Sequence, residues 1–402
     1  MKKQLSLSVL ALALAGAFVA PAAMAAGNEV VIGDIDDMSG VYADVIGQGG
    51  VEAAKMAIAD FGGTVLGKKI VLLTADHQNK PDLGASKFRE WADQNGVNMV
   101  LGGSNTGVSI AMSKVAGAKK VPFMAIGAAG ASLTNEDCTP YSVHYAYDTT
   151  SLANGTATAI TNEGGKSWYF LTADYAFGTQ LRDAATGVVQ KHGGKSLGEV
   201  RVPLGTTDFS SFLLQAQGSN AQVLGLANAG NDFTNSLKAA QEFGITKKMK
   251  PAALLAFISD IHSLGLKTAE GLYLTTGWYW DTNADTRAWS KRYFAVMKKE
   301  ATMNQAAYYS ATLNYLNAVK AVGTTDPDKV MAQLKKQKIN DMFVKGGYIR
   351  ADGVMIHPMY VMQVKKPADS KYPWDYYKIV KTMPGEEAFG PVTGKCKIAP
   401  KK

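Results

Sequence analysis

From Val30 onward the chain alternates short apolar or β-branched runs with longer stretches whose apolar residues recur every three or four positions. The first pattern suits buried strands and the second suits amphipathic helices. Val30-Val31-Ile32 predicts a strand. The segment from Gly49 to Phe61 puts Val51, Ala54, Ile58 and Phe61 on one helical face and stops at Gly62-Gly63. The rhythm continues with a strand at 69–74, a helix at 81–95, a strand at 99–102, a helix at 108–118 and a strand at 122–126. Such alternation predicts a parallel sheet with helices on both faces.

A second run of the same kind follows Tyr147. It predicts helices at 151–163, 178–192, 209–217 and 232–243, with strands at 167–172, around 198–202, at 221–227 and at 253–256. Beyond a strand at 271–276 the pattern is mixed, with helices near 287–299 and 306–322 and a hairpin-like pair at 346–350 and 359–365. This remainder is too short for a third lobe, so it is expected to return and complete both sheets. The fold class is therefore α/β, with two lobes built on parallel sheets. One lobe takes 27–146 with 277–357, and the other takes 147–276 with 358–384, leaving 385–402 as a C-terminal tail. Ligands of open α/β sheets sit beyond the carboxyl ends of the strands, so two such lobes face each other across a cleft.

The amino terminus adds a destination. Lys2 and Lys3 precede an apolar run from Leu5 to Ala20, then Pro21 and Ala22-Ala23-Met24-Ala25-Ala26. That is the pattern of a secretory signal peptide over 1–26, with Ala23 and Ala25 in the small-residue positions. The run is shorter than the ~20 residues that span a bilayer. No Cys stands near the cleavage point to carry a lipid, so the chain is expected free in the periplasm, without a membrane span. Net charge is +8, or +6 without Lys2 and Lys3, and the basic residues are dispersed. Nucleic-acid binding has little support from that distribution. Cys138 and Cys396 are the two cysteines. In an exported chain they permit one bridge tying the tail to the first half; two unpaired thiols are the other possibility, and the compartment favours the bridge.

Candidate chemistry sits in the strand-to-helix loops. Gly33 to Ala43 includes Tyr42; Gly102 to Gly107 includes Ser104, Asn105 and Thr106; Gly127 to Ser132 includes Ala128 and Ala129. Small residues let backbone N–H groups approach a ligand, hydroxyls donate, and helix N-termini add partial positive charge, so a carboxylate can be held without Arg or Lys. Each loop taken singly also reads as a tight turn. From the second lobe come Asp174-Tyr175-Ala176-Phe177 and Asn228-Ala229-Gly230-Asn231-Asp232, where Asp232 reads as a helix N-cap. Tyr42 fits either a packing role or a ligand contact, and Trp278-Tyr279-Trp280 fits either a ligand wall or hinge packing.

Arguments for an enzyme are thin. Gly102-Gly103-Ser104-Asn105-Thr106 lacks the last Gly of a nucleophile elbow. The five histidines are scattered, without zinc spacing. Asp34, Asp36 and Asp37 lack the Gly and distal Glu of a calcium loop, and no phosphate or dinucleotide fingerprint occurs. No metal and no cofactor are expected.

The segments SGVYADVIGQGGVEAAKMAIADFGG, LGGSNTGVSIAMSKVA, DYAFGTQL, VPLGTTDFSSFLLQAQ and NAGNDFTNSLKAAQEFG, in this order behind a signal peptide, resemble the Leu/Ile/Val-binding-protein-like family. These are type I periplasmic solute-binding proteins of ABC transporters. The resemblance implies two Rossmann-like lobes joined by three crossovers, a monomer, and permease and ATPase subunits as partners. It places Ser104 and Gly127 to Ala129 at the ligand carboxylate and Tyr42 over the ligand. Phe177 and Asn228 stand where amino-acid binders carry tyrosines. Two departures stand out. The third loop has Ala128, Ala129 and Gly130 in place of a Thr, and no acid falls among Leu254 to Phe257 to pair with a ligand ammonium, Asp260 being nearest. An unpaired ammonium in a closed cleft costs several kcal/mol. The expected cargo is therefore a carboxylate without an α-amino group, and aromatic acids would suit Tyr42, Tyr175, Phe177 and Trp278. A periplasmic sensory protein, or an enzyme on the same scaffold, are the alternatives.

Overall fold

The computed structural model describes residues 27–399, so the signal-peptide reading of 1–26 lies outside the described residues. The first lobe runs β1 (Glu29–Asp36), α1 (Gly47–Phe61), β2 (Thr64–Val65), β3 (Lys68–Asp76), α2 (Pro81–Gln94), β4 (Val97–Gly102), α3 (Thr106–Lys119), β5 (Phe123–Ala125) and β6 (Ser142–His144). These make one sheet in the order β2-β3-β1-β4-β5-β6. Its pairs are parallel except β2 with β3. Strand β1 is longer than the apolar run Val30-Val31-Ile32 predicts. It continues through Asp34 and Asp36, which are fully buried; the Tyr308 hydroxyl donates to the Asp36 carboxyl and also lies 3.2 Å from Asp34 Oδ1.

The second lobe runs α4 (Thr149–Asn162), β7 (Ser167–Ala173), α5 (Ala176–Lys191), β8 (Lys195–Val202), α6 (Ser210–Gly218), β9 (Val223–Ala227), α7 (Asn231–Glu242), β10 (Lys250–Ala253), α8 (Ile258–Leu264), α9 (Leu266–Ala269) and β11 (Tyr273–Thr276). Its four-stranded sheet, β10-β9-β7-β8, is parallel throughout. Strand β10 ends three residues earlier than its apolar pattern predicts, because Leu254 to Phe257 leave the ladder and turn toward the space between the lobes.

The return segment supplies α10 (Ala284–Met297), α11 (Met303–Val322), α12 (Pro327–Lys336), β12 (Ile339–Asn340), β13 (Lys345–Ile349), β14 (Met355–Ile356), β15 (Met359–Val364), β16 (Tyr377–Met383) and α13 (Gly385–Phe389). Helix α11 lies on the first lobe, where Gly50 of α1 leaves room for the Tyr308 ring: a Cβ there would come within 3.2 Å of it. The expected hairpin of 346–350 with 359–365 is corrected. Strand β13 pairs with β12 and β14, while β15 pairs with β11 and β16. The turn at Arg350–Val354 closes β13 directly onto β14, with the Arg350 N–H donating to the Val354 carbonyl at 2.8 Å. Helix α12, an amphipathic helix that buries Val330, Met331 and Leu334 on one face, is an addition to the elements predicted from sequence.

Apolar burial holds each lobe. Ile32, Phe88, Val100, Met112 and Phe123 are fully buried in one core, and Leu171, Leu213, Phe233, Leu237 and Ile245 in another. Each such side chain contributes about 1.5–3 kcal/mol relative to exposure. Cys138 and Cys396 are joined in a disulfide, with Cα atoms 5.7 Å apart. Among the described residues, no helix is long and apolar enough to cross a membrane.

Candidate functional site

Both sheets reverse their strand order beside a central strand. In the first, β3 lies on one side of β1 and β4 on the other; in the second, β8 and β9 flank β7. At such a switch point the loops leaving neighbouring strands diverge and open a crevice. The two crevices face each other. Between them lies a narrow cavity, partly open to solvent, with free room for about one water molecule in this closed form. Its walls are Tyr42, Val45, Ser104, Gly127, Ala129, Tyr147, Tyr175, Phe177, Ala229, Leu255, Phe257 and Asn304.

Each wall residue is fixed by its own loop. The Asp37 carboxylate accepts the N–H groups of Gly40 at 2.7 Å and Tyr42 at 3.0 Å, which curls the first loop and presents the Tyr42 ring. The Tyr42 hydroxyl meets that of Tyr175 across the cleft at 2.6 Å. Ser104 follows β4; its N–H donates to the Asp36 carboxylate at 3.1 Å, and its hydroxyl lies 3.4 Å from His77 Nε2. Gly127 adopts φ +91°, and a Cβ there would meet Ile46 at 2.7 Å, so only glycine fits this turn. The N–H groups of Gly127, Ala128 and Ala129 have no acceptor among the described residues. The Gly127 carbonyl accepts from Tyr147 Oη at 2.8 Å, and Tyr147 Oη in turn lies 3.5 Å from Asn304 Nδ2. Asn304 Oδ1 is buried without a partner among the described residues.

The electrostatics are those of a neutral, donor-rich chamber. None of the twelve lining residues is Asp, Glu, Lys, Arg or His. Burial pushes the Tyr42, Tyr147 and Tyr175 phenols above their usual range, so they stay protonated. Tyr175 packs with Phe177 at 5.7 Å between ring centroids, and Tyr147 with Phe257 at 6.3 Å. The N-terminal ends of α3 and α11 lie beside Ser104 and Asn304 and add partial positive charge.

Of the residues singled out in the sequence, Tyr42, Ser104, Gly127, Ala129, Tyr175 and Phe177 converge on this cavity. Six others stand elsewhere, each committed to local structure. Asn105 caps α3, accepting the N–H groups of Gly107 and Val108. Thr106 Oγ1 accepts the Gly130 N–H at 3.1 Å. The Ala128 carbonyl accepts from His144 Nε2. Asn228 donates to the Asp232 carbonyl and to Ser236 Oγ. Asp232 is not the cap of α7, a position held by Gly230; its carboxylate accepts the Gly205 N–H at 3.0 Å. Trp278 packs edge-on against Trp289 and donates to the Met342 carbonyl. Sequence reasoning missed Val45, Tyr147, Ala229, Leu255, Phe257 and Asn304. Asn304 in particular arrives on the return segment, far from every loop of the sheets.

Comparison with known proteins follows this geometry. The family model described as periplasmic binding protein matches residues 29–371. A crystal structure of a periplasmic binding protein from Burkholderia mallei is 59% identical, with a TM-score of 0.91 over 92% of this chain and 99% of that one. One from Burkholderia xenovorans, described as a branched chain amino acid ABC transporter periplasmic ligand-binding protein, is 38% identical with a TM-score of 0.81, over 92% and 99%. Leu/Ile/Val-binding protein homolog 6 of Brucella melitensis is 24% identical over 60% of this chain and 61% of its own, so the chain spans about three fifths of that relative's length. With a family match across most of its residues and a cleft between two doubly wound lobes, the chain belongs to the periplasmic binding proteins, in their type I, Leu/Ile/Val-binding-protein-like branch.

Proposed function

We propose that the protein is the substrate-binding component of an ABC importer, acting in the periplasm, and that its cargo is a small aromatic carboxylate without an α-ammonium group. In this reading the lobes 27–146 with 277–357 and 147–276 with 358–384 close on the ligand and present it to a permease and its ATPase subunits. The observation that carries the reading is the composition of the cavity: five aromatic rings, neutral donors, and no acidic side chain on its wall. A carboxylate would take the Ser104 hydroxyl and the free N–H groups of Gly127 and Ala129, with the end of α3 behind them. A ligand ammonium would meet no acidic side chain on the wall: Asp260, the next acid along the chain after Phe257, turns back to accept the Phe257 N–H at 2.9 Å, and Asp36 stands behind Ser104, taken up by the Ser104 N–H. Such an ammonium would forfeit several kcal/mol.

The geometry also favours capture over turnover. His77 faces both Ser104 Oγ and the Asp36 carboxylate with the same nitrogen, Nε2, while its Nδ1 accepts the Asn79 N–H. A hydrolytic triad needs the acid and the nucleophile on opposite nitrogens of the imidazole.

The description of the 38% identical relative supports a second reading, a branched-chain amino acid. Thermal-shift and calorimetric titration with benzoate, 4-hydroxybenzoate and leucine separates the two. Benzoates are expected to raise Tm and to be recovered unchanged, since binding to the folded state alone adds RT ln(1 + [L]/Kd) to stability. Stabilisation by leucine and by neither benzoate would refute the aromatic-acid reading.

A further inference from the structure

We infer that His77 is a positioning residue that turns the Ser104 hydroxyl into an obligate hydrogen-bond donor to the cavity, so that the site selects a carboxylate over the corresponding carboxamide. The inference deepens the proposed function and rests on Ser104 facing the ligand.

His77 follows β3 and is 1% exposed. Its Nδ1 accepts the Asn79 N–H at 3.0 Å, so the lone pair is on Nδ1 and the hydrogen on Nε2. That Nε2–H reaches Ser104 Oγ at 3.4 Å and lies 3.6 Å from Asp36 Oδ1. Ser104 is therefore an acceptor on its His77 side, and its own hydrogen turns toward the cavity. Without the imidazole, nothing on that side holds the hydroxyl as an acceptor, and its hydrogen is free to turn away from the cavity. The hydroxyl would then present a lone pair to the ligand, which suits an amide NH2 and repels a carboxylate.

The turn that holds the ring is built at a cost. Gln78 and Asn79 both take positive φ, 51° and 56°, a conformation that Asn tolerates and that Gln seldom adopts. It is over-determined by three contacts: the Gln78 N–H on Asp76 Oδ1 at 2.8 Å, Asn79 Nδ2 on Asp37 Oδ2 at 2.6 Å, and the His77 N–H on the Asp36 carbonyl at 2.9 Å. Strain of this kind persists where surrounding structure fixes a functional group. The same turn aims Nδ1 at Asn79 and ties Asp37, the residue that presents Tyr42.

The test uses the purified full mature chain in three forms: wild type, His77→Leu and His77→Gln. Glutamine keeps an N–H donor near the place of Nε2, and leucine removes it. Benzoate and benzamide are titrated by calorimetry. Wild type is expected to prefer benzoate by about tenfold or more, equivalent to ~1.4 kcal/mol. His77→Leu should lose most of that preference and His77→Gln should keep it to within about threefold. The 15N shifts of the ligand-free wild-type imidazole should report the Nε2–H tautomer. An Nδ1–H tautomer, or the same benzoate preference in all three proteins, would overturn the assignment. Binding of leucine and not benzoate to wild type would instead sink the aromatic-acid reading. The same three proteins titrated with leucine and leucinamide would then decide the role of His77.

Discussion

At the residue scale the cavity is closed by two phenols. Tyr42 and Tyr175 come from loops in different lobes; Tyr42 is buried, Tyr175 half-buried, and the two hydroxyls meet. A neutral hydrogen bond of this kind contributes about 1 kcal/mol net. Tyr175→Phe keeps the ring contact with Phe177 and removes only that bond, so the closed form should lose about that much relative to the open one. Ligand binding is expected to weaken roughly fivefold, with a larger radius of gyration by small-angle scattering at subsaturating ligand. An unchanged affinity would show that the phenol pair does not bias closure. Tyr42 and Tyr175 were visible in the sequence because they sit in strand-to-helix loops. Tyr147, Phe257 and Asn304 were not, since nothing local distinguishes a cavity aromatic from a core one.

At the scale of elements, the switch points do the placing. Loops leaving β1 and β4 carry Tyr42 and Ser104, and loops leaving β7 and β9 carry Tyr175 and Ala229. The segment after β10 adds Leu255 and Phe257 and is pinned by the first turn of α8, where the Asp260 carboxyl accepts the Phe257 N–H. Burial pushes that carboxyl up to about 7 from a usual value near 3.8. Its folded-state pKa is raised, so between about pH 4 and 7 the folded protein holds a proton that the unfolded chain releases. The contribution is full below about 4 and is lost as pH rises through 7. Asp260→Asn should therefore gain stability relative to wild type as pH goes from 4 to 8, in guanidinium denaturation at each pH. A difference that stays flat across that range would contradict the assignment. The strands and helices with strong periodicity were legible in sequence. The polar half of β1 and the pairing of β13 were not, because buried carboxyls and a choice of strand neighbour leave no mark on hydrophobic period; helix α12 was overlooked although its apolar stripe of Val330, Met331 and Leu334 is periodic.

At the scale of the molecule, the chain returns to both lobes and ends clamped to the first. The Cys138–Cys396 bridge closes a loop with a sequence separation of 258 residues. The tail is also held by Arg350, whose guanidinium donates to the Gly390 carbonyl at 2.6 Å. A paired Cys138→Ser and Cys396→Ser variant is expected to lose about 2–4 kcal/mol, read as a lower guanidinium midpoint. An unchanged midpoint would mean that the noncovalent contacts of the tail suffice. Closure across the cleft has further points of contact: Ser132 N–H on Gln180 Oε1 at 3.0 Å, and Asn231 N–H on the Val41 carbonyl at 3.2 Å. These bonds join loops of one lobe to helices of the other and depend on the angle between the lobes.

The alternation of strand and helix, the order of the loops and the small residues within them are properties of the linear chain, because side-chain period and turn chemistry act over a few residues. They were enough to identify an α/β chain with two lobes and to single out Ser104, Gly127, Tyr42 and Tyr175, which meet at the cavity. The distribution of polar groups between ligand and scaffold is a different matter. Asn105, Thr106, Asn228 and Asp232 look like Ser104 in sequence, yet each is consumed by a cap or loop bond, while Asn304 reaches the cavity from a distant helix. Hydrogen-bond partners are assigned by distance in space, and only packing the two lobes and the return segment together sets those distances.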